Sequence, residues 1–152
     1  MTAVIQRVKQ AQVSVEGNVV GSCEEGLMIL LGVFKGDCEK DADLLAAKIS
    51  KLRIFTDEND KLNLSVNDIS GGALVISNFT LCANYSHGNR PDYISAEAPN
   101  RANELYLYFA DKLRSLLVSG RLGTGAFGEY MVITPILDGP ITIVMDSNVL
   151  KK

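Results

Sequence analysis

Residues 27–33, Leu-Met-Ile-Leu-Leu-Gly-Val, contain no side chain suited to water. So short and wholly apolar a run reads as a strand buried on both faces, and it is far too short to cross a bilayer. A strand of that kind needs a layer of structure on each side. Residues 73–82, Ala-Leu-Val-Ile-Ser-Asn-Phe-Thr-Leu-Cys, are apolar and β-branched enough to be a second central strand.

The rest of the chain supplies the layers. Residues 3–8, and Ala11, Val13 and Val15 alternating with polar neighbours, predict half-buried strands. Gly17-Asn18 turns the second back into a strand over 19–23, so the chain starts as a meander. From Asp37, an expected N-cap, the spacing becomes helical, with Leu45, Ile49 and Leu52 on one face and Lys48 and Lys51 outside. A short strand at 53–55, a polar turn at 57–61 and an extended piece follow. Residues 83–100 carry no period and are rich in turn formers, which predicts a functional or mobile loop. A longer helix starts at about Pro99, with Ala102, Leu105, Phe109, Leu113 and Leu116 in steps of three and four, and ends before Gly120. Strands at 130–136 and 141–145 flank Leu-Asp-Gly-Pro-Ile-Thr, where adjacent glycine and proline weaken pairing. That stretch reads either as a hairpin turn or as backbone presented to a ligand.

Two main helices among groups of short strands, without regular alternation, predict an α+β fold with a mainly antiparallel or mixed sheet. No internal boundary interrupts 1–152, and a chain of that length buries roughly 68–70% of its unfolded surface as one domain. With 47% apolar and 22% charged residues the composition is that of an ordinary globular chain. A net charge of -3 argues against a protein that coats nucleic acid by general attraction, so any RNA partner has to meet a local patch. Cys23, Cys38 and Cys82 are too widely spaced for a disulfide framework or a zinc site and read as reduced thiols. With charges within the first ten residues and no long apolar core, the start does not read as a secretory signal, so the N-x-[ST] matches at Asn63, Asn78 and Asn84 are read as chance. A cytoplasmic protein with no membrane partner is expected.

Residues 123–128, Gly-Thr-Gly-Ala-Phe-Gly, spell a dinucleotide fingerprint, but they follow a helix and lead into a strand, the reverse of the order that motif needs. A flexible loop is expected there. The single histidine, His87, lies in the polar loop, and no G-x-S-x-G elbow supplies a nucleophile. Asp37, Glu39, Asp41 and Asp43 read as a helix start and its solvated face. That leaves Ser77-Asn78-Phe79-Thr80-Leu81, whose polar groups interrupt an apolar strand. They either bond to neighbouring backbone or serve a ligand. Alternation places Asn78 and Thr80 on one face and Ser77 and Phe79 on the other.

Ser-Asn-Phe-Thr-Leu at 77–81 resembles the S-Q-F-T-L motif of the D-aminoacyl-tRNA deacylases, and Asp-Gly-Pro-Ile-Thr at 138–142 resembles their N-x-G-P motif. Ile-Gln-Arg-Val with Arg7, Leu-Leu-Gly-Val at 30–33, Arg-Ile-Phe at 53–55, Leu-Asn-Leu-Ser-Val at 62–66, Arg-Pro at 90–91 and the 101–109 segment agree in the same order. Two departures stand out: Asn78 replaces the family glutamine, and Leu137 replaces the asparagine that opens the second motif.

The resemblance implies a barrel-like arrangement of the sheets and a homodimer that hydrolyses the ester of D-aminoacyl-tRNA at the acceptor end, with no metal or organic cofactor. It further implies a cis Gly139-Pro140 unit that enters the partner's site, holds the substrate amino group with its carbonyls and excludes L side chains. Glycyl-tRNA, with no side chain to exclude, is then a substrate as well. Hydrolysis is attributed to the substrate's own 2′-hydroxyl, with Thr80, Ser77 and Asn78 shaping the reacting site. Phe79 and Phe127 line the adenosine pocket, and Arg7 braces the Gly-Pro loop, its alternative being a strand surface charge. The rival function is a non-catalytic dimer that binds adenosine or nucleic-acid-associated ligands in the same pocket.

Overall fold

The computed structural model describes residues 1–151. Its elements run β1 (Thr2–Val15), β2 (Asn18–Cys23), β3 (Gly26–Gly32), α1 (Glu39–Ile49), β4 (Phe55–Thr56), β5 (Leu62–Leu64) and β6 (Gly72–Ser77). A 3-10 turn (Phe79–Cys82), α2 (Pro99–Leu116), β7 (Leu122–Thr124), β8 (Val132–Asp146) and the one-turn helix α3 (Ser147–Leu150) complete it. The main sheet is mixed: β1 pairs antiparallel with β2, β3 and β8, whereas β3 with β6 and β6 with β7 are parallel. This is the α+β class that the sequence predicts.

β3 and β6 are covered on both faces. Leu27, Ile29, Leu31, Ala73 and Val75 meet the helices in a core that includes Leu45, Ile49, Leu105, Phe109 and Leu113. The alternate residues Met28, Leu74 and Ile76 meet a second core with Val8, Ala11, Val13 and Cys23. Each large apolar side chain so buried contributes about 1.5–3 kcal/mol. The second core closes because the sheet curls until β2 lies against β7; a Cβ on Gly123 would sit 2.5 Å from the Ser22 carbonyl oxygen. The expected flexible loop at 123–128 is therefore corrected in its first part, because 122–124 forms a strand on β6 and needs glycine for that close approach.

Three other local expectations fail for tertiary reasons. The start is no meander: β1 is one long strand, and β2 and β3 take successive halves of it. Asp37 is not the N-cap of α1, since its carboxylate accepts the Phe34 N–H at 2.7 Å; Cys38 caps instead, its N–H donating to Asp41 Oδ2 at 3.0 Å. Residues 137–142 form no hairpin, because β8 runs through them while pairing with β1 on both sides. α2 matches expectation, with Pro99 at its start, where a missing N–H costs nothing, and Ala102, Leu105, Phe109 and Leu113 buried.

β1 and β8 change faces at one shared point. Ala3 and Ile5 join the helix-side core, whereas Ala11 and Val13 join the other; on β8, Ile141, Ile143 and Met145 pack on the first and Ile133 on the second. The register explains the change. Val8 pairs with Leu137 and Gln10 with Ile136, so Lys9 is extra on β1, while Gln6 pairs with Thr142, so 138–141 bulge opposite the single Arg7.

Candidate active site

Where β3 and β6 end side by side, a cavity of about 630 Å³ opens. Leu31 and Val33, Ser77, Asn78 and Phe79, Tyr106 of α2, and Phe127 and Met131 beyond β7 line it, together with Tyr93 from the long loop. The lining is mainly apolar and aromatic, with charge from Lys35, Glu97 and Glu129, and its size is that of a small-molecule pocket. Tyr106 is fully buried; its hydroxyl donates to the Val75 carbonyl at 2.9 Å, and burial pushes the phenol up to about 12. It is a fixed neutral donor. Its ring lies 5.9 Å from that of Phe127, and Phe79 meets Tyr93 edge-on at 5.0 Å. Phe79 is 60% exposed, an apolar ring held open to solvent at the cavity.

The Ser77–Leu81 segment departs from the strand expected through 82. The Asn78 N–H still donates to the Leu31 carbonyl at 2.8 Å, and the strand then breaks into the 3-10 turn. Asn78 caps that turn: its Oδ1 accepts the Thr80 N–H at 3.2 Å and also the Thr80 hydroxyl. Gly32 makes room for the break, since the turn sits on it and a Cβ there would come 2.8 Å from Leu81 Cβ. Strand alternation therefore does not apply to Asn78, Phe79 and Thr80, and Phe79 and Thr80 are exposed.

Of the residues singled out in the sequence, Ser77, Asn78, Phe79 and Phe127 come together around the cavity. Thr80 lies one step outside its lining, with its hydroxyl committed to Asn78. Arg7, Gly139 and Pro140 are elsewhere, at the β8 bulge. Gly139-Pro140 is cis, Gly139 has φ +143°, and both residues are exposed. Arg7 is buried rather than a surface charge: Nε donates to the Asp138 carbonyl at 3.1 Å and Nη1 to the Ile54 carbonyl at 2.9 Å. His87 is exposed in the loop. Tyr93, Tyr106 and Met131 were not singled out; a tyrosine among the apolar positions of α2 was the available signal for Tyr106.

This is a mixed sheet curled around one core and roofed by helices over another, with an aromatic cavity at the ends of its parallel strands. Residues 4–146 match the model of the D-Tyr-tRNA(Tyr) deacylase family, and the chain belongs to that family. It is 52% identical to the D-aminoacyl-tRNA deacylase of Paracoccus denitrificans over 97% of both chains. It is 51% identical to that of Persephonella marina over 99% of this chain and 100% of the relative. Among solved structures it is similar to the c-Myc DNA Unwinding Element Binding Protein, with a TM-score of 0.90 and 35% identity over 96% of this chain and 98% of the other. A probable eukaryotic D-amino acid tRNA deacylase shares the fold at a TM-score of 0.82 and 16% identity, over 96% of this chain and 100% of that one. No helix among the described residues is long and apolar enough to cross a membrane.

Proposed function

We propose that this protein is a D-aminoacyl-tRNA deacylase, which hydrolyses the ester between a D-amino acid and the acceptor end of tRNA to release both. One observation carries the reading: the two family motifs fall at the two places where this sheet is interrupted, 77–81 beside the aromatic cavity and 138–141 on the exposed bulge. The terminal adenosine occupies the cavity, against Phe79 and Phe127, as single-stranded bases favour aromatic faces. Ser77 and Asn78 flank the ester. Thr80 shapes the turn rather than attacking, since its hydroxyl is already bound to Asn78. Neither histidine nor cysteine is among the lining residues, and hydrolysis rests on the substrate's 2′-hydroxyl beside a well-positioned ester, an arrangement worth roughly 7–11 kcal/mol of barrier.

Gly139 and Pro140 contribute main-chain atoms that capture the amino group and leave no room for an L side chain. They are exposed and absent from the lining of their own cavity, which supports their entry into the cavity of a second copy, so that the working unit is a homodimer. Glycyl-tRNA is cleaved too. The unit is a single domain over 1–152, needs no metal or organic cofactor, and works in the cytoplasm. Release of D- and L-tyrosine from charged tRNA tests the reading, with Gly139 and Pro140 variants alongside. D-specific release that the variants lose is expected, and equal release of both enantiomers sinks it. Thr80→Ala retains turnover; its complete loss with the fold and substrate binding intact would overturn that assignment. The likeness to a DNA-unwinding-element-binding protein favours a second reading, a non-catalytic nucleic-acid-associated dimer, which predicts no release from either ester.

A further inference from the structure

A four-residue excursion on an exposed strand has every reason to be soft, yet its first residue is gripped from two sides. Asp138 Oδ2 lies 3.0 Å from Arg7 Nε and 3.4 Å from Lys9 Nζ, and the Asp138 carbonyl accepts from Arg7 Nε at 3.1 Å. Arg7 is fixed at its other end by the Ile54 carbonyl at 2.9 Å and Thr56 Oγ1 at 3.2 Å. Lys9 is steadied by Glu25, 2.9 Å away. Arg7 and Lys9, two residues apart on β1, both reach the one carboxylate. Leu137, lacking a polar side chain, gives no help, so residue 138 carries the attachment of the bulge on this side.

We propose that Asp138 and Lys9 are positioning residues for chiral discrimination, which rests on the functional reading above. Holding the Asp138 side chain and carbonyl together fixes the peptide plane that leads into Gly139. A filter made of main-chain atoms has no side chain with which to adapt, so its sharpness depends on where that plane points. A misplacement of about 1 Å at a reacting centre can cost about a hundredfold. Asp138 and Lys9 touch no substrate and act through the placement of Gly139 and Pro140.

The test is kcat and KM for D-tyrosyl- and L-tyrosyl-tRNA with wild type, Asp138→Ala, Asp138→Asn and Lys9→Met, at low and high salt. The D:L ratio of kcat/KM is expected to fall about tenfold in Asp138→Ala, which loses the ion pair with the buried Arg7 guanidinium while its carbonyl stays bound. In Lys9→Met it falls about threefold. Asp138→Asn, which keeps the shape of the side chain beside Arg7 but not its charge, lies between. The Lys9 effect fades at high salt, because that ammonium is 56% exposed and screened; the Arg7 arm persists. A merely structural role would lower the melting temperature and leave the D:L ratio unchanged. That unchanged ratio in folded Asp138 and Lys9 variants overturns this inference alone, whereas a wild type that cleaves neither ester overturns the functional reading itself. Should Asp138→Ala fail to fold, Asp138→Asn and Lys9→Met decide.

Discussion

Ser77 and Leu137 each mark the place where a strand leaves its ladder, and what surrounds the two is different. After Ser77 the chain stops being a strand, and the turn that follows is held by local bonds, Asn78 to Thr80, on the exposed lip of an apolar cavity. After Leu137 the chain remains a strand on either side of its excursion, and long-range bonds from a buried guanidinium pin it. A site that receives a flat aromatic base can tolerate a local brace, because the cavity walls do the orienting. A pair of residues that projects from the molecule has no walls, and its base must be tied to the core. The proposed division of labour, a receiving cavity and a projecting filter, is written in these two kinds of support.

Breaking the long-range support should cost most. Arg7→Ala strands the Ile54 and Asp138 carbonyls and leaves the Asp138 carboxylate to Lys9 alone, and unfolding free energy measured by denaturant titration should fall by about 3 kcal/mol. A drop under 1 kcal/mol would mean that the bulge does not depend on its brace. Gly139→Ala comes next. A Cβ there would sit 2.5 Å from Ile141 N at φ +143°, so the backbone must move, at about 1–3 kcal/mol, and D-ester kcat/KM should fall at least about tenfold as the filter shifts. Asn78→Ala removes only a local cap, worth about 1 kcal/mol, and should raise KM without altering the D:L ratio; a changed ratio would erase the distinction between the two regions.

The smallest effect at working pH serves as a control remote from both. Burial pushes the Asp41 carboxyl up, but hydrogen bonds from Lys151, Ser147 and Cys38 outweigh it and hold the group well below its ordinary 3.8. A depressed folded value adds stability that is present above the unfolded value and is lost as pH falls through the folded one. Melting temperature should therefore owe no change to Asp41 between pH 7 and 5 and decline below about pH 4. Asp41→Asn should flatten that acid limb while leaving the D:L ratio intact.

Legibility followed the range of the forces. The runs at 27–33 and 73–76, and the spacing of Leu105, Phe109 and Leu113, announced the buried strands and the longer helix, since burial on both faces or on one stripe writes itself into consecutive residues. The motif residues around the cavity were legible through family resemblance. The break after Ser77 was not, because the room for a turn comes from Gly32, some 45 residues away. Nor was the continuity of β8: a Gly-Pro pair reads as a hairpin until β1 is known to lie beside both of its halves. Asp37 misled for a similar reason, its carboxylate being taken by the Met1 ammonium, 36 residues away, as well as by the Phe34 N–H. In each case a local signal was sound and a distant partner outbid it.

The face exchange carries a rule about length. Across the corner β1 has one surplus residue and β8 three, both odd, so the strands turn over together and stay matched. Removing or adding a single residue within 138–141 would turn one half of β8 inside out against its neighbour, putting Ile143 and Met145, or Ile133, where water is. Adding a pair would preserve the match and lengthen only the projection. The excursion can therefore change in size by twos and hardly at all by ones, which makes parity, more than composition, the quantity that this corner guards.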